Sequence, residues 1–290
     1  VPAERSGEPP ERQPAAAGDG RGRGEERPVT RPWQVLARAE TSEGTLELRR
    51  RGAGEVVITA GGRVLMNGAA HRSEAALAAA ACRQLAGSPR PRVLLGGLGL
   101  GFTLRAALAI LPRHAAVLVA EIEPAIVAWC RGPLADLTAG ALDDPRVRVE
   151  IGDVAAVISR AARPAAAGSG SAHGSARGNG GGGGDGDFDA IVLDLYEGPR
   201  TPVHGADDPL YGRAALERCR AALAAGGVLA VWSEDPDASF EKRLAAAGFR
   251  WRKERPAGHG RHTIYIANPA AAGPERGTPP RRTGGRSGRR

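Results

Sequence analysis

One stretch limits the fold more than any other. An apolar run at 92–95 leads into Gly97-Leu98-Gly99-Leu100-Gly101, and a helical pattern at 103–111 follows directly, stopped by Pro112. Strand, glycine loop and helix in that order open a βαβ unit. Glycines there let the backbone pass close to a ligand, and the free N–H groups of the helix start face it. The spacing is G-x-G-x-G; Phe102 occupies the place of the last glycine in G-x-G-x-x-G, and no Lys-Ser/Thr follows as in a P-loop. A glycine turn chosen only for tight packing is the plainer alternative.

The alternation continues. Strands are expected at 117–122, 147–151, 190–195 and 228–232, each followed by a helix, at 124–130, 154–161, 212–225 and 238–247. Pro124 suits a first helical position. The run at 190–195 is almost wholly apolar, as in a strand buried on both faces. Runs at 249–253 and 263–266 read as a terminal hairpin. Upstream, 45–48, 56–58 and 63–66 alternate between glycine turns, a small antiparallel meander, and a helix is expected at 73–85 with Ser73 as N-cap. The fold class is therefore α/β: a Rossmann-like, doubly wound, mostly parallel seven-stranded sheet with a small N-terminal antiparallel β-domain.

Composition sets the limits of these regions. The chain has 290 residues, with 42 glycines and 22 prolines, more than one compact domain usually carries. Residues 1–30, the glycine-rich insertion 164–187 and the basic stretch 268–290 lack the large apolar residues that offset ordering entropy, and disorder is expected there. Between them lie a β-domain at 31–72 and a Rossmann-like domain at 73–267. Three cysteines far apart, Cys82, Cys130 and Cys219, suggest neither a disulfide framework nor zinc. There is no run of 18 apolar residues, and residues 1–14 do not resemble a signal peptide. A cytoplasmic setting without membrane partner is expected. The formal charge is +8, and much of it sits in the arginines after Asn268; a nucleic-acid partner is not expected, since no interleaved aromatics accompany them.

Candidate site residues follow from the strand ends. Glu121 ends the strand after the glycine loop, 20 residues beyond Gly101, where an acid accepts both hydroxyls of a ribose. Glu123 reads as a surface acid. Asp153 follows the next strand and suits either the exocyclic amine of an adenine or the N-cap of the helix from Val154. Asp194 and Glu197, in Asp194-Leu195-Tyr196-Glu197-Gly198-Pro199, bring two carboxylates to the next strand end, one to hold a cationic amine and one to take a proton. No metal site is suggested. His204, Asp207 and Asp208 lie in a loop suited to covering the site. Trp129 and Trp232 read as core.

In order along the chain, these motifs resemble the spermidine synthase (polyamine aminopropyltransferase) family, whose larger domain is of the S-adenosylmethionine methyltransferase type. Leu65-Met66-Asn67-Gly68 looks like its Leu-Asp-Gly motif, and 97–105 like its glycine loop ending in Leu-Arg. Val119-Ala120-Glu121-Ile122 is similar to its Val-Glu-Ile, and Asp144-Pro145-Arg146-Val147 with Gly152-Asp153 to its Asp-Pro-Arg-Val and Gly-Asp. Asp194 to Pro199 resembles its Asp-x-x-Asp-Pro, with Glu197 at the catalytic Asp. Leu100 stands where the family has an acid in the loop, and His71 stands near its Gln.

The resemblance implies decarboxylated S-adenosylmethionine, or S-adenosylmethionine, as co-substrate without metal. Gly97, Gly99 and Gly101 would bound it, Glu121 and Asp153 would hold the nucleoside, and Asp194 and Glu197 would do the chemistry. A small-molecule amine acceptor and a homodimer are expected. An S-adenosylmethionine-dependent methyltransferase and a non-catalytic nucleoside-binding homologue are the alternatives.

Overall fold

Two sheets follow one another along the chain in the computed structural model, which describes residues 31–42, 44–52, 54–162, 188–196, 198–200, 207–256 and 261–270. Of the stretches read as disordered from sequence, 1–30 and 164–187 lie outside them, as does 271–290 of the stretch 268–290; Asn268 and Pro269 instead end a strand, paired with Arg250 and Phe249. The first sheet is the meander β1 (Gln34–Thr41), β2 (Gly44–Arg51), β3 (Glu55–Ala60) and β4 (Arg63–Asn67), paired in sequence order. β1 was not legible: Gln-Val-Leu-Ala-Arg-Ala-Glu-Thr alternates only weakly, and it is made a strand by pairing with β2 from Gln34–Arg50 to Thr41–Gly44. Leu46, Leu48, Val56 and Ile58 are buried in the same cluster as Leu77, Ala81 and Cys82 of helix α1 (Arg72–Cys82). At roughly 1.5–3 kcal/mol for each large apolar side chain, that burial fixes the meander. Exposed bonds such as Arg50 to the Pro133 carbonyl, 3.0 Å, contribute far less.

Helix α1 starts one residue earlier than expected. His71 is its N-cap position and Ser73 lies within the first turn, buried, with its hydroxyl donating to the Glu74 carboxylate at 2.7 Å. Ser73 therefore does not cap the helix.

The second sheet holds β5 (Arg92–Gly96), β6 (Ala116–Glu121), β7 (Val147–Ile151), β8 (Phe188–Leu193), β9 (Leu223–Ser233), β10 (Phe249–Glu254) and β11 (Thr263–Pro269), in the order β10-β11-β9-β8-β5-β6-β7. β7, β6, β5, β8 and β9 are parallel; β11 and β10 complete the edge antiparallel. The crossover helices are α2 (Phe102–Ile110), α3 (Pro124–Arg131), α5 (Val154–Ala161), α6 (Arg213–Ala222) and α7 (Ala238–Ala246), with the short α4 (Ala135–Thr138) after α3. The sheet is covered on both faces. Val93 and Leu95 join the cluster of α1, α2 and α3, while Leu94, between them, joins that of α5, α6 and α7. That is the strand's two-residue side-chain period, read out as two cores.

Helix α6 is shorter than its sequence pattern suggests. It ends at Ala222, and Leu223 is already in β9. Pairing with β8 jumps from Phe188–Leu223 to Ala190–Val228, so 224–227 bulge out through Gly226 at φ 77°. Leu223, Ala224 and Ala225 read as helix, and the neighbouring strand overrides that propensity. Among the described residues no helix is long and apolar enough to cross a membrane.

Candidate active site

The strand order reverses between β5 and β8. β6 and β7 continue to one side of β5 and β8 lies on the other, so the loop after β5 stands at the switch point where α/β sheets bind ligands. Backbone bonds hold the crevice: Gly97 N–H donates to the Ala120 carbonyl and Asp194 N–H to that of Gly96, both at 2.9 Å. Gly97 has φ 87°, and a Cβ there would stand 2.5 Å from the Asp194 carbonyl oxygen. Gly101, at φ 78°, is the N-cap of α2. The glycine loop and Asp194, far apart in sequence, are thus in contact.

Glu121 points into this loop. It is buried, and its carboxylate accepts N–H bonds from Leu98 at 2.7 Å and Glu123 at 2.9 Å, and one from Gly99. Burial raises its pKa and these donors oppose the rise. Glu121 is therefore the brace that shapes the loop. Glu123 caps α3, accepting from Ala125 N–H at 3.2 Å. Asp153 is the exposed N-cap of α5, with Oδ1 accepting from Ala155 N–H at 2.8 Å. Beside these acids two isoleucines face solvent, Ile122 at 71% and Ile151 at 49% exposure. Glu121 pairs with Ile151 across β6 and β7, so apolar side chains and carboxylates adjoin on this edge.

A cavity of about 330 Å³ opens on the other side of the loop, near the lower end for ligand pockets. Its walls are β4 (Met66, Asn67), the first turn of α1 (Glu74), the loop (Leu98, Leu100), the end of β8 (Asp194, Tyr196) and the ends of β9 and β10–β11 (Trp232, Glu234, His262). Three carboxylates line it, Glu74, Asp194 and Glu234, and no lysine or arginine does among the described residues. In a chain with 40 cationic residues, that leaves the cavity suited to a positive ligand.

The carboxylates differ. Glu234 pairs with Arg261 at 2.6 Å. Asp194 accepts a short hydrogen bond from the Thr103 hydroxyl, and burial, with a smaller contribution from Glu74, pushes its pKa from 3.8 up to about 7. The folded protein then holds this proton from about pH 4 to 7 while the unfolded chain has released it. Stability is therefore expected to fall as pH rises through that window, by on the order of 2–4 kcal/mol from this group alone. Denaturant titrations at pH 5 and pH 8 check it: Asp194→Asn should flatten the difference, and an unchanged slope would refute the assignment. Trp232 meets His262 edge-on at 5.1 Å, and its indole N–H is buried without a hydrogen-bond partner among the described residues. The Arg63 guanidinium lies 5.0 Å over the exposed ring of Tyr196.

Several expectations change. Glu197, His204 and the start of the covering loop lie outside the described residues. Asp208 is buried and caps a turn, its Oδ1 accepting from Leu210 N–H at 2.9 Å and Tyr211 N–H at 2.6 Å. His71 packs on Phe102 at 5.0 Å. Trp129 is core, as read from sequence, but Trp232 lines the cavity. Glu74 and Glu234 were missed. Glu234 follows a strand end just as Asp194 does, so the same rule applied to β9 would have found it; nothing local marks Glu74.

The doubly wound sheet, with its glycine loop at the switch point, defines a Rossmann-like α/β fold. The fold is that of the spermidine synthase from Thermotoga maritima (TM-score 0.58, 18% identity, 81% of this chain and 72% of that one). It is also that of a spermidine synthase solved in complex with the transition state analogue AdoDATO (TM-score 0.56, 17% identity, the same coverage). Polyamine aminopropyltransferases of Mycobacterium tuberculosis H37Rv and Mycobacterium bovis AF2122/97 are 34% identical over 116 residues, 40% of this chain. The matched segment spans 18% of those relatives' length. No protein-family model matches the chain. The chain is spermidine synthase-like in fold and in that segment.

Proposed function

We propose that this chain is a transferase that binds decarboxylated S-adenosylmethionine and passes its aminopropyl group to an amine. The observation that carries the reading is the lining of the cavity: three carboxylates, with neither lysine nor arginine among the described residues. An aminopropyl ammonium and an amine acceptor both complement that lining. S-adenosylmethionine would bring a carboxylate beside Glu74 and Asp194, where its charge is repelled, which disfavours methyl transfer. The AdoDATO complex of the spermidine synthase with the same fold supports the same class of co-substrate.

In this reading the adenosine lies over Gly97, Gly99 and Gly101. Glu121 accepts from the ribose with lone pairs its backbone bonds leave over, Asp153 accepts from the adenine amine, and Ile122 and Ile151 offer the base an apolar surface. The acceptor nitrogen attacks the propyl carbon next to the sulfonium. A C–N bond forms, the C–S bond breaks, and its electron pair stays on sulfur as neutral 5′-methylthioadenosine. The nitrogen's proton passes to Asp194 or Glu197. Asp194, with its pKa near neutrality, suits that transfer, and the walls supply orientation.

Calorimetry with three nucleosides tests this. 5′-Methylthioadenosine should bind, and decarboxylated S-adenosylmethionine should bind about tenfold or more tightly than S-adenosylmethionine, as expected for one repelled buried charge. Tighter binding of S-adenosylmethionine, or no binding of any of the three, would sink the proposal. Leu100, an apolar residue at the loop, favours a second reading as a non-catalytic nucleoside binder; release of 5′-methylthioadenosine in the presence of a diamine, lost in Asp194→Asn, would exclude it.

A further inference from the structure

The glycine loop contributes no charge to the cavity. Leu98, Gly99 and Leu100 line it, and Leu100 is buried in the apolar cluster beneath the meander. Asp194 has one carboxylate oxygen engaged by Thr103. A cationic ligand in this cavity needs more than one such partner, because an ammonium taken out of water and left incompletely paired is strongly disfavoured.

Another carboxylate lining the same space comes from a different element. Glu74 stands in the first turn of α1, is half-buried, and lines the cavity together with Asp194. Ser73, buried beneath it, donates its hydroxyl to Oε2 at 2.7 Å and so orients the carboxylate. The charge of Glu74 is felt at Asp194, which places the two in one electrostatic site. Glu234, by contrast, is neutralised by Arg261. A separate mark of an occupant is the buried indole N–H of Trp232, which has no partner among the described residues although its ring forms part of the same wall.

We propose that Glu74 is a specificity-determining residue of this site: with Asp194 it holds a primary ammonium, doing from the first turn of α1 what the loop at Leu100 cannot do. This rests on the transferase reading and adds to it the residue that selects a charged amine. The ammonium belongs either to the co-substrate or to the acceptor, and the test separates the two.

Wild type, Glu74→Gln and Glu74→Asp are titrated with decarboxylated S-adenosylmethionine, with 1,4-diaminobutane, and with 5′-methylthioadenosine, which has the nucleoside but no amine. Glu74→Gln should weaken an amine ligand on the order of tenfold to a hundredfold and leave 5′-methylthioadenosine within about twofold. Glu74→Asp, which keeps the charge, should retain most of the affinity, and thermal melts confirm that each variant is folded. A loss confined to decarboxylated S-adenosylmethionine assigns Glu74 to the co-substrate's amine; one confined to 1,4-diaminobutane assigns it to the acceptor's. Unchanged affinity for both amines, an equal loss for 5′-methylthioadenosine, or equal effects of the two variants would overturn the proposal. Failure of wild type to bind 5′-methylthioadenosine would instead remove the nucleoside reading, and the 1,4-diaminobutane titration would still decide the role of Glu74.

Discussion

Replacing Gly97 by alanine is expected to abolish nucleoside binding and to lower stability by about 3 kcal/mol or more. Two effects add at this position. The backbone has φ 87°, where a side chain is strained, and the new methyl would stand 2.5 Å from the Asp194 carbonyl oxygen. That oxygen is backbone, in a segment tied to β5 by the Asp194 N–H bond to Gly96, so it cannot swing aside as a side-chain tip would. Strain at such a φ is worth about 1–3 kcal/mol and overpacking a similar amount. For a chain of this size the melting temperature should fall by roughly 6–12 °C.

Gly140→Ala is the control that separates the two effects. Gly140 also has a positive φ, 67°, but open space around the added methyl, and a loss of only about 1 kcal/mol is expected. Equal losses in the two variants would mean that Gly97 is selected by its dihedral alone, and the close approach of β5 and β8 would need another account.

Glu121→Gln is expected to be nearly as damaging to function. The carboxylate accepts backbone N–H groups on both oxygens, from Leu98 and Glu123, and another from Gly99. An amide has one accepting oxygen. Whichever way it turns, its NH₂ faces a backbone N–H and leaves a buried donor unmet, which costs about 1–3 kcal/mol. Relief of the burial that raises the Glu121 pKa offsets part of this, so stability should fall by roughly 1–2 kcal/mol. On the proposed reading binding should suffer more, about a hundredfold for 5′-methylthioadenosine, because the loop loses its brace and the ribose would lose its acceptor. Glu123→Gln keeps an accepting oxygen for the Ala125 cap and should change binding less than about threefold. Calorimetry on the two variants compares them directly; unaltered binding in Glu121→Gln would show that the loop shapes itself without the carboxylate.

Much of the architecture was legible because it is written in local periodicity. Glycines between a strand and a helix, acids at the ends of apolar runs and Pro124 at a helix start depend only on near neighbours. β7 and α5 match their expected spans. Where a neighbour from elsewhere overrides propensity, the reading failed: β1 exists through its pairing with β2, and β9 takes over residues that read as the end of α6.

The candidate site divides along the same line. Gly97, Gly99, Gly101, Glu121, Asp153 and Asp194 could be picked out one strand end at a time, since each belongs to a strand-end pattern. That Gly97 abuts Asp194, that Glu121 spends its oxygens on the loop, and that Glu74 and Trp232 wall the cavity with Asp194 could not. Those facts come from the order β9-β8-β5-β6 and from the meander settling over α1 through its buried leucines and isoleucine. A carboxylate at the start of a helix looks the same in sequence whether it faces water or a cavity; only the packing of distant elements decides, because burial and charge coupling are properties of the space between chain segments.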